Sequence, residues 1–158
     1  MLLGFKKQFA PKILDGSKKF TIRNPRKREP KIGEQLHMYT GLRTKHTEKI
    51  TSEHSLKGIQ LVDIFIENKH TEDNIRLNYS IEVRLGITVD GRPLREEEYL
   101  PFCIADGFET VSDFQRYWLS EKSVLTQHFQ EGQKRPLMNI YKVDQKDLVI
   151  YHWTDLRF

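Results

Sequence analysis

Apolar and polar positions divide the chain into short segments of differing period. Gln8 to Asp15 reads as a short helix with Phe9 and Ile13 on one face, and Gly16 stands where a helix-ending glycine belongs. Lys19 to Arg23 alternates like a strand, and Asn24-Pro25 stops it. Ile32-Gly33-Glu34 looks like a turn into a strand from Gln35 to Thr40, whereas Gly41 to Lys57 has no period and reads as a long loop. Gly58 to Ile66 is apolar at both parities, as expected of a strand covered on two sides, with a polar connection from Asn68 to Asn74. Arg76 to Val89 alternates strictly, which gives one buried and one wet face. That run would span roughly 46 Å, so the pattern predicts a bend, with Gly86 its expected place.

Asp90-Gly91 signals a hairpin, with a return arm from Arg92 to roughly Ile104. Glu109 to Ser120 reads as a helix capped by Thr110, with Val111, Phe114 and Trp118 at helical spacing and Tyr117 beside them. Ser123 to Phe129 suggests a further helical turn or two. Leu137 to Val143 and Leu148 to Trp153 read as strands joined by an Asp144–Asp147 hairpin. About six strands and two or three short helices, mostly with hairpin-like connections, predict an α+β, mainly β fold with antiparallel pairing and a small barrel that hides its edges.

The 158 residues suit one domain, 1–158, with a core that needs neither disulfide nor metal. No apolar run is long enough to span a membrane, and Met1 to Lys7 is too short for a signal peptide. The single cysteine, Cys103, excludes an internal disulfide and fits a reducing cytosol. Flanked by Phe102 and Ile104, it reads as a small buried residue rather than a nucleophile. The six histidines show no metal-ligand spacing, and no glycine loop cradles a phosphate, so no metal or cofactor is expected.

The net charge of +4 is unevenly placed: Ser17 to Lys31 carries +6 and the remainder −2. Lys18, Lys19, Arg23, Arg26, Lys27, Arg28 and Lys31 could therefore attract phosphate, or could form a solvated loop. In a strand Lys19, Thr21 and Arg23 share one face; Lys18 joins them only from a turn after Gly16. Asp106-Gly107, just before a helix, reads first as turn chemistry. Trp118 and Tyr117 could stack on a base or belong to the core.

Gly16-x-Lys18-x-x-Thr21-Ile22-Arg23, the Gly33-Glu34 turn, and Ala105-Asp106-Gly107-Phe108 followed by Val111, Phe114 and Trp118 together resemble the ASCH domain, a branch of the PUA-like superfamily. The likeness covers roughly residues 5–40 and 97–153 and leaves an atypical insertion at about 44–97. It implies a PUA-like barrel with a cleft between barrel and helices, and RNA or a modified nucleoside as partner. Some small members are amidohydrolases that deacetylate N4-acetylcytidine through a Lys, a Thr and a Glu. Their counterparts here are Lys18, Thr21 and Asp106, an Asp where those enzymes carry Glu. One methylene less can displace the carboxylate enough to cost about a hundredfold in rate. In such a mechanism a neutral Lys18 would take the Thr21 proton, with Lys19 and Arg23 lowering its pKa, and Lys18→Ala or Thr21→Ala should abolish turnover without unfolding the protein. The expected role is thus an RNA or nucleoside binding domain with Arg23, Lys19 and the Arg26–Lys31 patch as ligand contacts. The alternatives are an amidohydrolase or an accessory barrel that binds a protein.

Overall fold

The computed structural model describes residues 1–73, 78–128 and 138–158, with backbone alone at 70–73, 78–82, 128 and 138–139. Among the described residues, nine strands and three α-helices form a mainly β architecture. One sheet joins β1 (Leu2–Phe5), β3 (His37–Thr40) and β4 (Glu48–Thr51), in the order β1-β3-β4. The larger sheet has the order β2-β9-β5-β6-β7, from β2 (Phe20–Arg23), β9 (Met138–His152), β5 (Gly58–Asp73), β6 (Asn78–Val89) and β7 (Arg92–Pro93). β8 (Val124–His128) lies against β9. The two sheets are open, so the expected closed barrel is corrected to a pair of sheets. β1 and β3 are parallel, against the expectation of antiparallel pairing throughout; α1 (Ala10–Leu14) and β2 make the crossover.

Elements with local signals form where the pattern put them. A 3-10 turn at Lys7–Phe9 leads into α1, and Gly16 follows at φ +75, a conformation glycine adopts without penalty. Asp90 and Gly91, at φ 49 and 79, close the β6–β7 hairpin. Thr110 accepts the Asp113 N–H at 3.0 Å and caps α3 (Val111–Lys122).

Elsewhere tertiary pairing overrides the local pattern. The loop expected over 41–57 contains β4, which pairs with β3. β5 continues through the polar stretch 68–73, because both its edges are bonded, to β6 and to β9. Gly86 holds no bend: β5 and β6 pair without a slip from Val62↔Val89 to Asp73↔Asn78. The irregularity lies on the other edge, between Val62↔Leu148 and Ile64↔Gln145. There the expected Asp144–Asp147 hairpin is a bulge in one continuous strand, with Asp147 at φ 55 and its N–H bonded to Asp63 Oδ1 at 2.8 Å. The buried face of β6 is confined to Ile87 and Val89, with Leu85 partly covered and Val83 exposed; the side chains of Leu77, Tyr79 and Ile81 lie outside the described residues.

The expected return arm after Arg92 is short, and α2 (Glu96–Ala105) replaces most of it. Glu96, Glu97 and Glu98 stand in its first turn, where carboxylates meet the positive end of the helix dipole. Glu98 accepts the Arg95 N–H at 2.8 Å and both Arg92 amino groups at 2.9 and 3.1 Å. Of Ser123–Phe129, expected to be helical, Ser123 caps the end of α3 and Val124–His128 form β8; Phe129 lies outside the described residues.

Residues 44–97 supply β4 to β7, and β5 is the central strand of the larger sheet. Val62, Ile64 and Ile66 of β5 join Phe20, Phe102, Phe114, Ile150 and others in one core cluster. Along β9, β5 occupies one edge throughout, while the opposite edge is shared: β2 takes Val149–His152 and β8 takes Met138–Lys142. Between these two partners the edge has no strand against it among the described residues.

Candidate functional site

The C-terminus of α2 organises the site. Asp106 is its last cap, Gly107 follows at φ +92, and two reversed bonds close the end: Gly107 N–H to the Ile104 carbonyl at 2.8 Å and Phe108 N–H to the Cys103 carbonyl at 2.9 Å. A Cβ on Gly107 would lie 3.0 Å from Lys18 Cδ and 3.1 Å from Phe9 Cδ1, so glycine is required by space as well as by φ. The turn after Gly16 docks on this helix end. Lys19 N–H donates to the Ala105 carbonyl at 2.7 Å, and Lys18 Nζ donates to the Asp106 carbonyl. Two helix-end carbonyls that need an outside donor thus find one in the segment before β2.

Lys18 reaches Asp106 twice, because its Nζ also lies 2.6 Å from Asp106 Oδ1. Both side chains are buried, and the ammonium stands 4.7 Å from the centre of the Phe9 ring. Burial pushes Lys18 below and Asp106 above its ordinary pKa, and the charge of each partner opposes the other's shift. Lys18 therefore does join the site from the turn, outside the pleat. Asp106 is at once a turn residue and the partner of a buried cation.

Thr21 and Asp106 line one cavity of about 430 Å³. Its aromatic wall comes from Phe5, Phe9, Phe108, Tyr117 and Trp118, and its remaining polar lining from Arg23, Asn24, Lys6, Glu121 and Lys122. Leu148 also lines it, next to the stretch of β9 whose β2/β8 edge has no strand against it among the described residues. The volume falls within the range of small-molecule sites. Thr21 is 4% exposed and its hydroxyl bonds no other described residue. Arg23 donates to the Gly4 carbonyl and lies over Phe5, 5.0 Å from the ring centre. Trp118 serves both expectations: it is buried against Phe114 and also walls the cavity.

The basic window is divided in space. Lys18 and Arg23 turn inward. Arg26, Lys27 and Arg28 line a separate hollow of about 380 Å³ with Met1, Leu2 and Glu34, where Arg26 donates to the Leu2 carbonyl at 2.6 Å. Lys31 is exposed, and Lys19 is half-buried and outside the cavity lining. Cys103 is buried and its thiol is pushed up to about 12 by burial, which makes it inert. Among the described residues no group of His, Cys, Asp and Glu could hold a metal ion, and no helix is long and apolar enough to cross a membrane.

Sequence reasoning missed Phe5, Phe9, Phe108, Asn24 and the Lys6–Glu121 ion pair (2.7 Å) as cavity residues. They come from separate elements and loops, and no spacing along the chain links them. Only the Phe9 helix face and the Tyr117–Trp118 pair gave a signal, and that signal is shared by ordinary core residues. Comparisons with protein-family models, with curated proteins and with solved structures find no match to this chain.

Proposed function

We propose that this chain is an ASCH-type RNA or modified-nucleoside binding domain whose cavity accepts a base. One observation carries the reading: an aromatic-walled hollow of about 430 Å³ holds a threonine hydroxyl with no hydrogen-bond partner among the described residues, beside a buried carboxylate. Aromatic side chains offer stacking faces to a base, and a few fixed polar groups read its edge. The two motifs of the ASCH resemblance meet at this hollow, which supports the same reading. A cytosolic location belongs to the proposal and rests on the single buried cysteine.

The test is a titration followed by Trp118 fluorescence, with cytidine, N4-acetylcytidine and a short single-stranded RNA as probes. Saturable quenching by at least one probe is expected, weakened about tenfold or more by Tyr117→Ala, since base–aromatic stacking contributes about 1–3 kcal/mol. Charge reversal at Arg26, Lys27 and Arg28 should weaken RNA and spare the free nucleosides, because that patch lies outside the cavity. Absence of saturable binding by all three probes overturns the proposal.

A second reading, amidohydrolysis of N4-acylated cytidine, has one observation in its favour: burial lowers the Lys18 pKa next to a carboxylate that shares the cavity with Thr21. Against it, the Lys18 ammonium is bonded to the Asp106 carboxylate and carbonyl, does not line the cavity and makes no hydrogen bond to Thr21. Acetate release from N4-acetylcytidine, lost in Thr21→Val, would establish this reading in place of simple binding.

A further inference from the structure

The cavity wall is short of negative charge. Its two carboxylates are already paired, Asp106 with Lys18 at 2.6 Å and Glu121 with Lys6 at 2.7 Å. Arg23 and Lys122 line the same wall and form no ion pair with any described residue. Arg23 is the more telling of the two. Its guanidinium is fixed by the Gly4 carbonyl and by the Phe5 ring, yet its buried Nε has no hydrogen-bond partner among the described residues. The indole N–H of Trp118, in the same cavity lining, is also buried and has no partner among the described residues. Folded proteins pair buried donors, and buried cations above all, so a fixed guanidinium with a vacant donor marks a place for an acceptor from outside.

We infer that the ligand of this cavity carries a phosphate group that seats on Arg23, with Lys122 drawing it in from the rim. This rests on the nucleoside reading above and deepens it from nucleoside to nucleotide. Thr21 and Arg23 are two residues apart on β2, hence on the same face and separated by about 7 Å. One nucleotide bridges that distance between its base and its phosphate. The planar fork of arginine matches a phosphate with two parallel donors, which a lone ammonium cannot do. Lys122 is exposed, forms no ion pair among the described residues and acts at longer range, in a way that salt screens. The acceptor can be a terminal monophosphate or an internal phosphodiester of RNA; the chemistry at Arg23 is the same.

The experiment is calorimetric titration with cytidine, cytidine 5′-monophosphate and a cytidine trinucleotide lacking terminal phosphates, on the intact chain and on Arg23→Gln and Lys122→Gln. At least one phosphorylated probe should bind about tenfold or more tighter than cytidine, the scale of a charge-assisted hydrogen bond. That advantage should disappear in Arg23→Gln while cytidine affinity holds within about threefold, and should shrink in Lys122→Gln and with added salt. Gain by the monophosphate identifies a terminal group, and gain by the trinucleotide alone an internal one. Equal affinity for all three probes overturns the phosphate seat and leaves the base reading standing; no binding by any of them overturns both. Should Arg23→Gln melt below the assay temperature, the exposed Lys122→Gln decides: an advantage that neither this substitution nor salt reduces overturns the inference.

Discussion

The two halves of the basic window behave in opposite ways. Lys18 and Arg23 are held inside, each on a backbone carbonyl and an aromatic ring, and Lys18 also on a carboxylate. Arg26, Lys27 and Arg28 line a separate hollow beside Met1 and Leu2, and Lys31 is exposed. A run of cations in sequence is thus not a patch in space. The strand between Phe20 and Arg23 carries the first half into the core, and Pro25 and Pro30 bound a loop that leaves the second half outside. What a cation contributes here depends on what surrounds it, and substitutions on the two sides should differ by several kcal/mol.

The largest difference is expected between Lys18→Met and Lys27→Met. The first leaves Asp106 buried without its counter-ion and should cost about 3–5 kcal/mol; the second should stay within about 0.5 kcal/mol. Chemical denaturation reads both, and equal midpoints would erase the contrast. The same reasoning corrects the expectation that Lys18→Ala removes activity without unfolding: Lys18 is a structural partner of Asp106 first. Thr21→Val, whose hydroxyl bonds nothing else in the described protein, is the cleaner probe of chemistry.

Next comes pH. His152 faces Phe20 across the β2–β9 pair, is fully buried, and neither ring nitrogen has a partner among the described residues. Burial, with a smaller contribution from the Arg157 charge, holds its pKa down at about 4 against an ordinary 6.5. The folded protein therefore refuses a proton that the unfolded chain accepts. Stability contributed by this group is complete above pH 6.5 and is lost as pH falls from there toward 4, by up to about 1.4 kcal/mol per pH unit. Melts between pH 7 and 4.5 on the wild type and His152→Phe should diverge in that window, with the substituted chain losing less. Parallel curves would mean that the burial of His152 confers no such sensitivity.

Gly107→Ala should have a smaller effect, about 1–2 kcal/mol. It forces a side chain into φ +92 and against the Lys18 stem. Its further use is to separate packing from charge: if it also weakens ligand binding, the Lys18–Asp106 tie sets the cavity shape. The smallest effect should be that of Thr110→Ala, about 1 kcal/mol from loss of the α3 cap, with the cavity chemistry untouched. A loss of ligand affinity larger than the loss of stability would show that α3 positions Tyr117 and Trp118 more delicately than the rest of the helix suggests.

Legibility in the sequence followed the range of the interaction. Gly16 after α1, the Asp90-Gly91 hairpin and the Thr110 cap are set by residues within a turn of one another, and each was readable. β9 was not, because Asp144 to Asp147 has the composition of a turn and becomes a bulge only when β5 supplies Asp63 and a full edge of bonds. α2 was misread because its meaning depends on two ends: the acidic first turn held by Arg92 and Arg95, and the final carbonyls taken by Lys18 and Lys19. The convergence of Lys18 with Asp106 was reachable only through the family resemblance, since 88 residues separate them. Of the aromatic lining only the Phe9 helix face and the Tyr117–Trp118 pair left a trace in the sequence, because its members are scattered over separate elements.

The tie between those distant positions also orders events at the ribosome. β2 and the turn before it emerge early, while the acid that answers Lys18 follows 88 residues later and Leu148 later still. At the pace of translation, roughly 5–20 residues per second, the nascent segment waits several seconds with an apolar stem and an unanswered ammonium. The hollow is therefore among the last features this protein completes, and a chain stalled before residue 106 would carry the first motif without any pocket to put it in.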